Sequence, residues 1–379
     1  MGGGIKQIAI LGSTGSIGQQ TLEVVHALSD RFRVVGLGAG RNVKLLARQV
    51  EEFQPKLVSF RKDDCAGLPT GNYQLLPLEE MAIHPEVDVV VVATSGKAGL
   101  APTLAAIRAG KQIALANKEV LVMAGEVIRA EVRQYGVEIT PIDSEHSAIW
   151  QCLRGEHKEK VARLILTASG GPFLRYPLEQ LAAITPEQAL KHPTWQMGEK
   201  VTVDSATLMN KGMEIIEAHW LFDLPLQHIE VLIHPESIVH SLVEFADGSV
   251  KAQLSPPDMR LPIQYALSYP ERLFNPQLPR IDWGKFASLN FEPPDPVRFP
   301  CLRLAMEAGE KGGTYPAALC GADEVAVGLF LSHRIGFLDI AKLVEETLER
   351  HQSISHPSLE EILAADAWAR EYAENWRPE

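Results

Sequence analysis

Apolar and polar positions along this chain follow two rhythms. Short apolar runs recur at IKQIAIL (5–11), Phe32–Leu37, Leu57–Phe60, VDVVVVATS (87–95) and QIALAN (112–117). Between them lie stretches with helical spacing: TLEVVHAL, residues 98–109 and Glu119–Tyr135. Near-continuous apolar runs suit strands buried on both faces, and their alternation with helices predicts a parallel α/β sheet. VEITPIDSEHSAIW (137–150) reads as one more strand, ending near Asp143, while residues 61–76 read as loop.

The character changes from about Val161. ARLILTASGGPF is a strand entering a glycine turn, and a short helix (186–191) leads into HPTWQMG. VDSATLMNKGMEIIEAHW (203–220) predicts a helix opened by Asp204-Ser205, a helix-start pair. HIEVLIH (228–234), SIVHSLVEFADGSVKAQLS (237–255) and LPIQYAL (261–267) follow, with ADGS as a hairpin turn, and predict an antiparallel sheet. Residues 275–299 are Pro-rich and lack periodicity, and residues 300–379 read as a helical domain.

Composition narrows the class. The chain has 379 residues, 46% of them hydrophobic, which is enough for two or three globular domains. Lys and Arg number 36 against 48 Asp and Glu, a net charge of −12, which argues against nucleic acid or an anionic membrane as a partner. Cys65, Cys152, Cys301 and Cys320 are spread without a CxxC, and the 12 histidines form no HExxH. They predict reduced thiols and no zinc site. No signal peptide, myristoylation motif or membrane-length apolar run is present, so a cytoplasmic location is expected.

Candidate chemistry lies where the strands end. GSTGSIG (Gly12, Gly15, Gly18) joins a strand to a helix, the setting in which a glycine turn cradles a pyrophosphate; the other reading is a turn with no nucleotide. The second strand ends in GAGRN, where an acidic residue would hold an NAD ribose. Arg41 and Asn42 stand there instead, and a guanidinium suits the 2′-phosphate of NADP, unless Arg41 is merely solvated. Asp143 and Glu145 in extended backbone would share a side and, with Glu214, offer a hard divalent ion three carboxylates. The alternative is that Asp143 or Ser144 caps a helix. Ser205, Asn210 and Lys211 combine hydroxyl, amide and cation, a phosphate-gripping set that Ser169 can join. Lys211 and Glu214 can equally form a weak surface pair. Trp195 and Met197, bounded by Pro193 and Gly198, fit a lid, or a loop whose Trp fills a side pocket. His240 lies inside an alternating strand, where a lone histidine is usually structural.

GSTGSIG, LANKE, PIDSEH, ASGGPF, HPTWQMG, VDSATLMNKGMEIIEAHWLF, HPESIVHS and PPDMR together resemble the 1-deoxy-D-xylulose 5-phosphate reductoisomerase family in type and order. ANKE alone also resembles homoserine dehydrogenase. The family resemblance implies an α/β fold with an N-terminal Rossmann-like NADP-binding domain (1–146), a central α+β catalytic domain (147–274) with a lid near 189–199, a linker (275–299) and a C-terminal helical domain (300–379). It implies that Thr14, Gly15, Ser16, Ile17, Gly40, Arg41, Asn42, Asn117, Glu119 and Gly198 hold NADPH. Asp143, Glu145 and Glu214 would ligate Mg²⁺ or Mn²⁺, with Co²⁺ as a third option. Lys118, Ser144 and Glu145 would hold substrate oxygens, and Ser169, Ser205, Asn210 and Lys211 the phosphate. His192, Trp195 and Met197 would close over the substrate, and Lys118, Glu145, His192 and His240 would serve the chemistry. The implied reaction rearranges a ketose phosphate by retroaldol and aldol steps, then reduces the branched aldehyde to 2-C-methyl-D-erythritol 4-phosphate. The resemblance also implies a homodimer, with 237–255 at the interface, in a bacterial cytoplasm or as a mature plastid form. A homoserine-dehydrogenase-like enzyme leaves the carboxylates and the phosphate set without a task, and a non-catalytic NADP sensor leaves the lid without one.

Overall fold

The computed structural model describes residues 4–60, 69–286 and 288–378. Gly2 and Gly3, Cys65 and the 61–68 part of the expected loop lie outside the described residues. By compactness the chain divides into two units. The first comprises Met1–Val120, Ile128–Ser147 and Asp258–Arg280; the second comprises Leu121–Val127, Ala148–Pro257 and Ile281–Glu379.

The first unit alternates strand and helix as its sequence dictates. β1 (Lys6–Leu11), α1 (Ser16–Ala27), β2 (Phe32–Gly38), α2 (Val43–Phe53), β3 (Leu57–Ser59), β4 (Gln74–Leu75) and α3 (Leu78–Ile83) come first. β5 (Val89–Val92), α4 (Leu100–Arg108), β6 (Gln112–Leu115), α5 (Lys118–Tyr135), β7 (Ile139–Pro141) and α6 (Ser144–Cys152) follow. The strands form one sheet in the order β4-β3-β2-β1-β5-β6-β7, and every pairing is parallel. The order reverses between β1 and β5, and such a reversal leaves a crevice at the strands' C-terminal ends. All four valines of β5 are fully buried, which explains their unbroken apolar run.

The second unit continues with β8 (Val161–Ala168), α7 (Pro186–Ala189), α8 (Glu199–Thr207), α9 (Met209–Phe222), β9 (Ile229–Ile233), β10 (Val239–Phe245) and β11 (Val250–Leu254). Its sheet runs β11-β10-β8-β9. The hairpin strands pair antiparallel as expected, but β8 and β9 pair parallel, so the sheet is mixed. The reason is the intervening chain: α8 and α9 carry it back across the sheet before β9 begins, and a crossover returns a strand in the same direction.

LPIQYAL is not a strand. It forms α10 (Arg260–Ser268), and its Ile263, Ala266 and Leu267 enter the core of the first unit beside Ile8, Val89 and Ile142. Those three share one helical face, and Pro262 occupies the first turn, where a missing N–H costs nothing. The second unit closes with α11 (Pro300–Lys311), α12 (Tyr315–Leu331), α13 (Phe337–Arg350) and α14 (Leu359–Asn375). No helix among the described residues is long and apolar enough to cross a membrane.

The 203–220 stretch also differs from its expectation. It is two helices, broken at Leu208, which sits at φ +60 in the left-handed region. Asp204-Ser205 lies inside α8, whose N-cap is Gly198. Asp204 is unavailable as a cap because it is buried and bonded to Lys200 Nζ at 2.6 Å. A leucine at positive φ costs on the order of 1–3 kcal/mol and persists only where surrounding packing holds it. Leu208 is itself buried, and Gly212 packs α9 onto α11, a Cβ there falling 2.4 Å from Ala305 Cβ.

Candidate active site

In the first unit the glycine turn is shaped by close approaches. Gly12 has φ +96, and a Cβ there would lie 2.4 Å from the Ala93 carbonyl oxygen. A Cβ on Gly18 would lie 2.3 Å from the Gly12 oxygen, so glycine lets α1 start against the turn. Gly15, the N-cap of α1, supplies no side-chain cap to the N–H groups of the first turn. Thr14 completes the turn beside them. Arg41 is exposed, with Gly40, between β2 and α2. Asn42 caps α2, its Oδ1 accepting the Leu45 N–H at 3.1 Å.

Asn117 has little side chain left for a ligand. Its Oδ1 accepts from Val120 N, and its Nδ2 donates to the carbonyls of Thr94 and Gly96 at 2.9 and 2.8 Å. Contact with a cofactor would fall to its backbone. Glu119 is buried in the first turn of α5.

Lys118 opens α5 at the end of β6, and its Nζ lies 3.1 Å from Asp143 Oδ2. The two residues are neighbours because β6 and β7 are paired in parallel and end together. Asp143 does not share an extended backbone with Glu145. The strand stops at Pro141, Asp143 takes the cap position and Ser144 starts α6. Asp143 Oδ1 accepts the Ser144 N–H at 2.9 Å, and its carbonyl accepts Ser147 N–H at 2.8 Å. The carboxylates of Asp143 and Glu145 nevertheless come within 4.8 Å of each other, and Ser144 Oγ donates to Glu145. Capping and ion binding are compatible here, because Asp143 Oδ1 serves the helix while Oδ2 faces Lys118.

In the second unit four chain segments carry the residues read as the phosphate set and the lid. β8 ends at Ala168, and Ser169 is followed by Gly170 and Gly171 at φ +82 and +67. A Cβ on Gly171 would lie 2.8 Å from the Ser205 carbonyl oxygen, so the turn packs directly on α8 where Ser205 sits. Ser169 Oγ lies 3.0 Å from His192 Nε2. The proton on that histidine can be placed. Nδ1 accepts from the N–H groups of Thr194 and Trp195 at 3.1 and 2.9 Å, so the hydrogen is on Nε2, which donates to Ser169. Burial lowers the His192 pKa to about 4, so the ring is neutral at neutral pH. Ser169 Oγ also accepts from Gly171 N at 3.2 Å. With both lone pairs engaged, its own O–H is left to act as a donor.

Asn210 and Lys211 stand in the first turn of α9, just after the Leu208 break. Both donate to Glu214, Asn210 to Oε1 and Lys211 to Oε2. Lys211 and Glu214 are 3% and 1% exposed, so they are not a solvated surface pair. Burying such a pair is costly unless further partners compensate. Trp195 and His240 meet edge to face at 6.0 Å, and His240 Nε2 lies 3.0 Å from the Ser255 carbonyl oxygen and 2.8 Å from Ser255 Oγ. Met197 is half-buried and Gly198 exposed in the same loop. The buried thiols add nothing reactive: burial raises the pKa of Cys152 to about 11 and that of Cys301 higher still.

One feature of this unit escaped sequence reasoning. Lys200, two residues after Gly198, bonds Asp204 at 2.6 Å and Asp323 of α12 at 2.8 Å, with both carboxylates buried. The i,i+4 spacing of Lys200 and Asp204 is a local signal, but Asp323 is reached only through the fold.

Three family profiles match the chain. They are 1-deoxy-D-xylulose 5-phosphate reductoisomerase over residues 8–125, the C-terminal domain of that enzyme over 139–222, and the DXP reductoisomerase C-terminal domain over 254–372. The chain is 56% identical to the 1-deoxy-D-xylulose 5-phosphate reductoisomerase of Heliobacterium modesticaldum, with 97% of each chain covered. It is 55% identical to that of a Synechococcus strain, over 97% of this chain and 96% of the relative. Among solved structures it is similar to the Zymomonas mobilis enzyme in complex with NADPH, at 43% identity, 98% coverage of both chains and a TM-score of 0.88. A DOX-P reductoisomerase in complex with NADPH, fosmidomycin and magnesium aligns at 41% identity, 97% coverage of both and a TM-score of 0.92.

Proposed function

We infer the working of this site from one premise: the chain belongs to the 1-deoxy-D-xylulose 5-phosphate reductoisomerase family. It is an NADPH-dependent oxidoreductase that isomerises and reduces 1-deoxy-D-xylulose 5-phosphate to 2-C-methyl-D-erythritol 4-phosphate, with a divalent metal, in non-mevalonate isoprenoid biosynthesis. The polarity of the Ser169 hydroxyl carries the residue assignments.

The imidazole of His192 and the N–H of Gly171 fill the acceptor sites of Ser169, leaving an O–H for the substrate phosphate. Ser205 lies against the same turn, and Asn210 and Lys211 add an amide and a cation from the first turn of α9. Holding the phosphate far from the reacting carbons supplies binding energy for closing the 189–199 loop, with Trp195 and Met197 over the carbon chain. His240 supports Trp195 from behind.

The residues present suit both a divalent ion and NADPH. Asp143, Glu145 and Glu214 are hard oxygen donors for Mg²⁺ or Mn²⁺. Thr14–Ile17 and Gly40–Asn42 suit the pyrophosphate and 2′-phosphate of NADPH, with Asn117, Glu119 and Gly198 nearer its reactive end. When bound, the ion polarises the substrate's carbonyl and hydroxyl oxygens, and NADPH supplies the hydride. Lys118 and Ser144 hold those oxygens in register, and Glu145 and Lys118 take and return the proton that moves as the carbon–carbon bond breaks and re-forms. Residues 1–146 serve the cofactor and supply Lys118, Asp143, Ser144 and Glu145, 147–274 grip the phosphate, and the helices of 300–379 brace α8 and α9. A homodimer in the cytoplasm completes the reading.

The test is NADPH oxidation with 1-deoxy-D-xylulose 5-phosphate, with and without Mg²⁺ or Mn²⁺, and product identification. Metal-dependent consumption with the branched product is expected. Reduction without rearrangement would overturn the assignments of Lys118 and Glu145.

A further inference from the structure

We propose that Gln49 is a positioning residue that sets the distance between the two phosphate grips of the dinucleotide, and thereby contributes to the choice of NADPH over NADH. The inference rests on the reading of Thr14–Ile17 and Gly40–Asn42 as those grips.

Gln49 lies in α2, two turns beyond the Asn42 cap, and is 4% exposed. It makes a reciprocal pair of bonds with Ser13 of the glycine turn. Ser13 Oγ donates to Gln49 Oε1 at 2.8 Å, and Gln49 Nε2 donates to the Ser13 carbonyl at 2.9 Å. Ser13 is fully buried, so neither group has water to fall back on. The N–H groups of Gly12 and Ser13 both donate to the Gly38 carbonyl at 2.8 Å. The turn is thus tied to both sides of the segment that presents Arg41: upstream through Gly38 and downstream through α2. The segment has few ties of its own: the Ala39 N–H donates to the Ser59 carbonyl at 2.8 Å, but Gly40 and Arg41 are exposed and a Cβ on Gly40 would touch nothing within 4 Å. Arg41 therefore stands where α2 puts it, and Gln49 fixes α2 to the turn. An amide suits this task, since it gives and takes one hydrogen bond at once; a carboxylate or a methionine at the same length would lose one bond or both.

Steady-state kinetics of the full-length enzyme tests this with Gln49→Leu, Ser13→Ala and Arg41→Asp, using NADPH and NADH. Gln49→Leu should raise the NADPH KM about tenfold, the scale of one buried hydrogen bond. It should leave kcat at saturating NADPH and the KM for the ketose phosphate within roughly twofold. The preference for NADPH should fall, and in an Arg41→Asp background Gln49→Leu should change it little further, because both act at one phosphate. Ser13→Ala removes one bond of the two and should shift the same quantities by a smaller factor; it serves alone if Gln49→Leu fails to fold. A lower Tm with unchanged KM and preference would make Gln49 a structural strut and overturn the proposal. Equal losses for NADPH and NADH would overturn the specificity role. Arg41→Asp without effect on preference would show instead that the 2′-phosphate reading fails, and the proposal with it.

Discussion

The two glycine turns of this molecule end strands in the same way and do different work. The turn at Gly12–Gly18 follows β1 in an all-parallel sheet and delivers the chain straight into α1. Its offer is backbone: N–H groups at a helix start and glycines whose missing Cβ lets the turn pack on Ala93 and on itself. The turn at Gly170-Gly171 follows β8 in a mixed sheet, and no helix starts from it. Its offer is a side chain, Ser169, whose hydrogen bonding is decided by His192 and by its own Gly171, with Ser205 brought alongside by packing. A backbone grip is generic and written in adjacent residues. A side-chain grip is polarised and assembled from distant ones.

The comparison makes the two grips separable, and substitutions can break or sharpen it. The largest effect is expected at Glu214→Gln, which should lower metal-dependent turnover by about 100-fold or more, on the scale of losing a preorganised charged group. NADPH affinity, read by fluorescence titration, should stay within roughly twofold; unchanged turnover would remove Glu214 from the site. Arg41→Asp should follow, weakening NADPH by roughly 10- to 100-fold through a lost charge-assisted bond and a new repulsion. NADH and ketose phosphate constants should barely move, and equal losses for both nucleotides would erase the cofactor reading. Next comes Gly171→Ala. A Cβ at φ +67, 2.8 Å from the Ser205 oxygen, should cost about 1–3 kcal/mol in chemical denaturation and raise the ketose phosphate KM alone. Gly15→Ala is the stability control only, because Gly15 has φ −76 and the nearest atom to a Cβ there is 3.4 Å away; its cost should fall on the NADPH constants and not on the ketose phosphate.

The smallest effect concerns acid. His192 titrates near 4 in the folded chain against an ordinary 6.5, because burial disfavours its charged form. Between those values the unfolded chain binds the proton that the folded chain refuses, so this contribution is whole above pH 6.5 and is lost as the pH falls toward 4. His192→Asn should flatten that part of the stability–pH curve. An unaltered slope would mean the ring is solvated and the Ser169 polarity argument fails.

Much of the first unit was legible because its determinants are local. Four consecutive buried valines, a glycine turn before a helix and Arg41 after a strand each carry meaning without distant partners. The second unit was legible in its residues and less so in its backbone. Nothing in LMNKG announces that Leu208 adopts positive φ, since leucine has no preference for it and only packing enforces it. Asp204 looks like a cap until Lys200, which also bonds Asp323, is seen to hold it. LPIQYAL is apolar in either period, and only the sheet it covers decides that it is a helix.

The place of α10 in that sheet's core has a consequence for how the protein is made. The sheet is complete in sequence at β7, yet Ile263, Ala266 and Leu267 are part of its core. At synthesis rates of roughly 5–20 residues per second, the first unit waits on the order of ten seconds for its last helix to leave the ribosome. Through that interval the apolar surface that α10 will cover has no native partner from its own chain. A nascent chain halted before Arg260 would therefore be a target for chaperones, whereas one released past Ser268 would already be able to close its first core.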